Sequence, residues 1–272
     1  TRNFFVFDSS VSQLFEFETH PWILLRQKIS KKSNMETKQD IGQKIAEGKT
    51  KIIYQVADNP QHVVMVSKNS ISAGNGLKRD ELPGKASCSN RTTCNVFRLL
   101  QLSAIPTHFV RQESAESFRA LKCSMIPLEV IVRRLAAGSY LKRHPELKQG
   151  HRFETPVVEF TFKDDALGDP LISDEEILQK KLVCGPVAVD TKIIEQLKSL
   201  ALKTFQALEK GWALLDVTLV DFKVEFGVTS DGQVILADVI DNDSWRIWPK
   251  GDPSQMKDKQ VYRDLPIGKL QD

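Results

Sequence analysis

The chain has 272 residues, 41% of them hydrophobic, and its 38 basic and 35 acidic side chains leave a formal charge of +3. Such length and apolar content support a full core, which excludes a disordered chain, and near-balanced charges spread along the sequence exclude the broad basic footprint of a nucleic-acid binder. Cys88, Cys94, Cys123 and Cys184 form no C-x-x-C pair, and no run approaches the roughly 20 apolar residues of a membrane helix, so a cytoplasmic protein without nucleic-acid or membrane partners is expected.

Residues 1–34 are Phe-rich, lack turn signals and precede Met35. They read as an extension outside the main fold, which occupies residues 35–272. The β-branched runs Lys51 to Val56 and His62 to Ser67 flank Ala57-Asp58-Asn59-Pro60-Gln61 and predict a hairpin. Ala86 to Leu102 predicts a helix closed before Pro106, followed by strands at Thr107 to Gln112 and Leu128 to Arg133. Ser173 with Glu176 forms a capping-box pattern. From Thr191 to Leu208, apolar residues recur at helical spacing up to Gly211, which is expected to end that helix. The order of elements points to an α+β architecture in two lobes.

Several loops carry groups suited to anions. Gly48 beside Lys49 and Lys51 offers permissive backbone and two ammonium groups just before a strand. Its glycine spacing is not that of a Walker A loop, and on its own a surface turn is the simpler reading. Ser70 to Gly76, which includes Ser72, and Pro83-Gly84-Lys85 offer hydroxyls and flexible main chain. Arg133 and Arg134 end an apolar run just before Gly138-Ser139, and guanidinium groups bind carboxylate or phosphate in a bidentate manner. Lys163-Asp164-Asp165 and Asp241-Asn242-Asp243-Ser244-Trp245-Arg246 add acids and an arginine in loop contexts, where turn chemistry alone is the competing reading.

The segment from Leu219 to Gly227 alternates charged and apolar residues, so Phe222, Val224 and Phe226 face a core while Asp221, Lys223 and Glu225 face the other way. Asp231-Gly232 signals a two-residue type I′ hairpin, after which Val234 to Ala237 runs into Asp238. With Ser230 opposite Gln233, Glu225 falls directly opposite Asp238. Like charges so placed destabilise a sheet unless something lies between them, and Mg²⁺ held by carboxylates plus substrate phosphates meets that need. The competing reading is a solvated face whose register a bulge has shifted.

Three stretches together resemble the SAICAR synthetase family: Ile126 to Ser139, with its Arg-x-x-Ala-x-Gly-Ser ending; Asp-x-Lys-x-Glu-x-Gly at 221 to 227; and Asp238 followed by Asp243-Ser244-x-Arg246. The resemblance runs from about Ile41 to Asp264, and Ala237 to Leu265 is most similar to the animal form, in which a carboxylase domain follows the synthetase. Residues 1–34 have no counterpart in the family pattern, the segment after Leu265 departs from it, and the carboxylase domain is expected to be absent. The resemblance implies a two-lobed α+β fold with an antiparallel N-terminal sheet over the nucleotide, akin to ATP-grasp and kinase lobes. It also implies a ligase reaction in purine biosynthesis: ATP phosphorylates the carboxylate of a carboxylated aminoimidazole ribonucleotide, and the amine of L-aspartate displaces phosphate. By the same resemblance Gly48, Lys49, Lys51 and Lys223 contact ATP, and Glu225 and Asp238 hold Mg²⁺. Arg133, Ser139 and Arg246 hold the ribonucleotide, with Ser72, Asp165 and Asp243 near the substrates. Oligomerisation in the fused relatives is implied to rest largely on the part absent here, and a homo-oligomer stays compatible. Two alternatives remain: a small-molecule kinase, which needs the lysines and acids but not the arginines, and a catalytically incomplete fragment or assembly subunit.

Overall fold

The structure is a computed structural model that describes residues 41–73, 77–164 and 166–266. The expected extension at residues 1–34, the loop residues Gly74 to Gly76, and Asp165 lie outside the described residues.

The described chain starts with strand β1 (Ile41–Glu47), then β2 (Lys51–Val56) and β3 (His62–Ser67), the last two occupying the two β-branched runs of the expected hairpin. Asn59 shapes their turn: its side-chain oxygen accepts from the Gln61 N–H at 3.0 Å and its carbonyl from the His62 N–H at 3.0 Å. A small hairpin of β4 (Ser70–Ala73) and β5 (Lys78–Glu81) leads to helix α1 (Lys85–Leu102), one residue longer than expected. Strands β6 (Phe109–Gln112) and β7 (Ser117–Leu121) complete a five-stranded antiparallel sheet in the order β1-β2-β3-β7-β6. Helix α1 lies against it through a stripe that includes Cys94, Phe97 and Leu100. On that stripe Asn90 donates to the carbonyls of Ser114 and Ala115, both at 3.1 Å, which pins the turn between β6 and β7.

The second sheet is built on two 12-residue strands, β8 (Ser124–Leu135) and, far along the chain, β13 (Val217–Val228). Between them come α2 (Ser139–Arg143), β9 (Arg152–Phe162), β10 (Leu171–Ile172), α3 (Asp174–Gln179), the β11–β12 hairpin (Val183–Cys184 and Val187–Ala188) and α4 (Thr191–Ala213). The expected capping box is present on α3: the Glu176 N–H donates to Ser173 Oγ at 3.2 Å and the Ser173 N–H to Glu176 Oε2 at 2.8 Å. Helix α4 follows the expected apolar stripe but continues through Gly211 to Ala213. A Cβ on Gly211 would lie 3.6 Å from Leu99 Cδ2 of α1, so this glycine marks a close approach of two helices rather than a helix end. The stripe packs on β13, with Phe205 edge-on to Phe222 at 5.3 Å between ring centres.

Sheet order is β10-β9-β8-β13-β14, where β14 is Val234–Ala237, and β15 (Trp245–Pro249) pairs with the first half of β13. Both β14 and β15 therefore share one edge of β13: β15 covers residues 217–222 and β14 covers 225–228. At the seam the Lys223 N–H donates to the Ser244 carbonyl at 2.8 Å, and residues 238–244 leave the sheet there as a loop. Helix α5 (Lys259–Asp264) closes the described chain.

The expected two-residue turn between β13 and β14 is corrected. Gly232 is left-handed (φ 87) but Asp231 is not, whereas a type I′ turn needs positive φ at both central residues. Thr229 and Gln233 close a three-residue loop instead, the Thr229 N–H donating to the Gln233 carbonyl at 3.0 Å. The register moves by one: Glu225 stands opposite Ala237, Phe226 opposite Leu236 and Val228 opposite Val234. Glu225 is thus not directly opposite Asp238, and the shift is of the kind the bulge reading anticipated.

Candidate functional site

One face of the second sheet is polar, and strand alternation builds it. On β13, Asp221, Lys223 and Glu225 point away from α4; their neighbours on β8 are Arg133, Ile131 and Glu129, and beyond these on β9 lie Val157, Glu159 and Thr161. The other face carries Phe222, Val224 and Phe226, each 2% exposed or less, in the core as expected. Successive same-face residues stand about 7 Å apart, so a single strand spaces three different chemistries along the face.

At the Asp221 end is an arginine cluster. Arg133, 2% exposed, donates from Nε to Glu159 at 2.9 Å, from one terminal nitrogen to Asp221 Oδ2 at 2.7 Å, and from the other to Ser139 Oγ at 3.5 Å. Arg246, from the start of β15, reaches the same Asp221 oxygen at 2.6 Å, and Arg143 from α2 bonds Glu159 at 2.7 Å. Three guanidinium groups share two carboxylates, so the cluster favours an added anion. Gly138, ahead of α2, is needed for this arrangement: its φ is +55, and a Cβ there would lie 2.3 Å from a terminal nitrogen of Arg246. Arg134, adjacent in sequence, turns away and binds Glu209 of α4 at 2.6 Å, a structural role.

At the Glu225 end, three acids each meet one lysine. Lys163 contacts both oxygens of Glu225 at 2.7 Å, Lys51 pairs with Asp238, and Lys223 pairs with Glu129. Asp238 follows β14 in a left-handed conformation (φ 63), and the Glu225 and Asp238 side chains are only 12% and 16% exposed, so these two acids are largely shielded from solvent. Burial, then the neighbouring Asp238 charge, raises the Glu225 pKa above its ordinary value. Burial acts the same way on Asp238, but the charge and hydrogen bond of Lys51, with Lys163 and His108, outweigh it and hold that carboxyl below its ordinary range. The two acids therefore sense each other despite the shifted register.

His108 sits between Phe97 and Phe118, with ring centres at 5.2 and 5.7 Å. Burial lowers its pKa to about 4, and the ring is engaged with the backbone of Asp238. The His108 backbone N–H donates to the Leu236 carbonyl at 2.9 Å, so the residue before β6 is tied to the end of β14 just before Asp238.

Asp243, in the seam loop, lies 3.3 Å from Lys85 at the start of α1 and 3.4 Å from Lys259 of α5. Neighbouring Asp241 is buried, accepts from Ser89 and also has a raised pKa, first from burial and then from Asp243. The Gly48–Lys49 loop is closed by the Gly48 N–H, which donates to the Lys51 carbonyl at 2.9 Å, and Ser70 Oγ donates to the Lys49 carbonyl at 2.5 Å. Ser72 lies opposite Arg79 on the same small hairpin, whose β5 strand is held to α5 by Tyr262, donating to Asp80 at 2.7 Å.

A sequence model described as SAICAR synthetase matches residues 44–270. The chain belongs to the SAICAR synthetase family. Members are ATP-dependent ligases of purine biosynthesis. The chain is 58% identical over 222 residues to the bifunctional purine synthesis protein purC/E of Dictyostelium discoideum, covering 82% of this chain and 22% of that protein. It is 46% identical to the phosphoribosylaminoimidazole-succinocarboxamide synthase of Roseiflexus castenholzii, covering 84% of this chain and 89% of that one. Among solved structures, the synthase of Ehrlichia chaffeensis superposes with a TM-score of 0.74 at 32% identity, covering 81% of this chain and 91% of that chain. A SAICAR synthetase in complex with ADP gives 0.73 at 31%, covering 80% and 89%. The α+β, two-sheet architecture is that of these SAICAR synthetases.

Of the residues singled out in the sequence, the structure brings Arg133 and Arg246 together through Asp221, with Ser139 on Arg133, and Lys51, Lys223, Glu225 and Asp238 around one patch. Asp243 stands apart from both with Lys85 and Lys259. The sequence reading missed Glu129, Glu159 and Lys163 as partners. Glu129 lies inside an apolar run, and the pattern of β8 alone does not show that it faces Lys223, 94 positions later. Glu159 belongs to β9, a strand whose alternation is broken by Pro156 and which was not anticipated. Lys163 opens the Lys163-Asp164-Asp165 loop, where nothing local points to Glu225, 62 positions later.

Proposed function

We propose that this chain joins L-aspartate to the carboxylated aminoimidazole ribonucleotide at the expense of ATP, giving the succinocarboxamide, ADP and phosphate. The observation that carries this is the alternation of β13, which sets an anion-seeking arginine cluster at Asp221 and an acid–lysine cluster at Glu225, four residues further along one polar face. A ligase that activates a carboxylate with ATP needs both subsites adjacent, whereas a kinase for a neutral substrate needs only the second.

Arg133, Arg246 and Ser139 hold the ribonucleotide, so that its carboxylate lies near the nucleotide; Ser72, Asp165 and Asp243 are assigned beside the substrates. Gly48, Lys49, Lys51 and Lys223 hold ATP, with the ammonium groups placed against its phosphates. Glu225 and Asp238 suit Mg²⁺: two largely shielded carboxylates, each met by an ammonium group in this structure, form the donor set a hard cation takes alongside phosphate. When bound, the cation supplies neutralisation of charge on the transferring phosphoryl group. The chain's own contribution is positioning and fixed charge: the substrate carboxylate takes the γ-phosphoryl group, ADP leaves, and the aspartate amine then attacks the acyl phosphate and expels phosphate.

We place the reaction in the cytoplasm, where four free thiols stay reduced. No helix among the described residues is long and apolar enough to cross a membrane. The test is ADP formation by the purified chain with ATP, Mg²⁺ and ribonucleotide, with and without aspartate. Aspartate-dependent ADP release with the succinocarboxamide as product supports the reading; phosphorylated product without any need for aspartate contradicts it.

A further inference from the structure

Glu129 has no role in the proposed reaction, yet it stands directly opposite Glu225 on the neighbouring strand and is 5% exposed. Like charges at opposed sheet positions repel, and here the two carboxylates take different partners. Glu225 gives both oxygens to Lys163 at 2.7 Å. Glu129 divides its oxygens: Oε2 accepts from Thr161 Oγ1 at 2.8 Å, and Oε1 meets the Lys223 ammonium. Thr161, on the far side of β8, thus fixes the carboxylate plane, and the remaining oxygen faces Lys223. Lys223 is 42% exposed, and a lysine stem left to itself samples many rotamers.

We propose that Glu129, locked by Thr161, is a positioning residue that holds the Lys223 ammonium where a nucleoside triphosphate's phosphates meet it, a role separate from that of Glu225 and Asp238. The proposal rests on the reading that Lys223 contacts ATP.

The experiment measures KM for ATP, KM for the ribonucleotide and kcat in Glu129→Gln, Thr161→Val, Lys223→Met and the Glu129→Gln/Lys223→Met double variant. Glutamine keeps the volume and an acceptor for Thr161 but loses the charge that holds Lys223. The expected result is a rise of about tenfold in KM for ATP in Glu129→Gln, a smaller rise in Thr161→Val, and an unchanged KM for the ribonucleotide. In the Lys223→Met background, Glu129→Gln should add less than about twofold, because the two residues act as a unit. Full additivity in the double variant, or an unchanged KM for ATP in both Glu129→Gln and Thr161→Val, would overturn the proposal. Wild-type kinetics in Lys223→Met would instead remove Lys223 from the ATP site, and this inference with it, while leaving the arginine cluster's assignment intact.

Discussion

Arg133 and Arg246 donate to the same oxygen of one buried carboxylate, Oδ2 of Asp221, at 2.7 and 2.6 Å. The two arginines come from strands 113 positions apart in the sequence that flank β13, and Asp221 is the residue that sets their spacing. Asp221→Ala would leave two guanidinium groups without their shared partner. Breaking a buried pair in this way costs about 3–5 kcal/mol, read as a lower midpoint in urea unfolding. The surviving enzyme should show a raised KM for the ribonucleotide and little change in KM for ATP.

Gly138→Ala tests the proposed ribonucleotide subsite without removing any charge. The new Cβ meets the Arg246 guanidinium, and the backbone at φ +55 resists a side chain. Displacing a positioning group by about 1 Å can cost on the order of a hundredfold in rate. We expect kcat/KM for the ribonucleotide to fall by about that factor while ADP affinity, measured by calorimetry, holds.

Glu225→Gln should abolish ATP turnover, lowering kcat by at least about a hundredfold, with little effect on stability. Lys163, its partner, is 41% exposed and can be hydrated once the charge is gone, so the loss should stay within about 1 kcal/mol. Retained activity with an unchanged Mg²⁺ dependence would sink the cation assignment.

Asp258 precedes α5 and accepts two backbone N–H groups, Gln260 at 2.8 Å and Ile247 at 2.9 Å. Asp258→Ala removes a helix cap worth about 1 kcal/mol and strands a buried donor of β15 at a further ~1–3 kcal/mol. Asp258→Asn, which retains an acceptor oxygen, should be milder. Because α5 carries Lys259, the Asp243 contact loosens in the alanine variant, visible as faster hydrogen exchange in α5.

Local patterns in the sequence translated well into structure. The alternation from Leu219 to Gly227 became β13 with the expected core face, and Ser173 with Glu176 became a true capping box. The turn after β13 did not, because Asp-Gly serves both a two-residue turn and a three-residue loop with glycine left-handed. One extra loop residue moved Glu225 from opposite Asp238 to opposite Ala237. The charge of Asp238 still acts on Glu225, and strand periodicity encodes neither the burial of the two acids nor the left-handed backbone of Asp238 beyond the strand. Glu129 and Glu159 acquire meaning only from pairing across strands, and β7, β9 and β15 were not foreseen, so the polar face could be read from one strand but not from three.

In the proposed reaction, β13 joins an ATP subsite to a ribonucleotide subsite for an aspartate-consuming ligation. The most direct test is ADP release by the purified chain with ATP, Mg²⁺ and the carboxylated ribonucleotide, measured with and without L-aspartate. Release should depend on aspartate and be matched mole for mole by succinocarboxamide. Tight ATP binding with no aspartate-dependent turnover would contradict the proposed reaction.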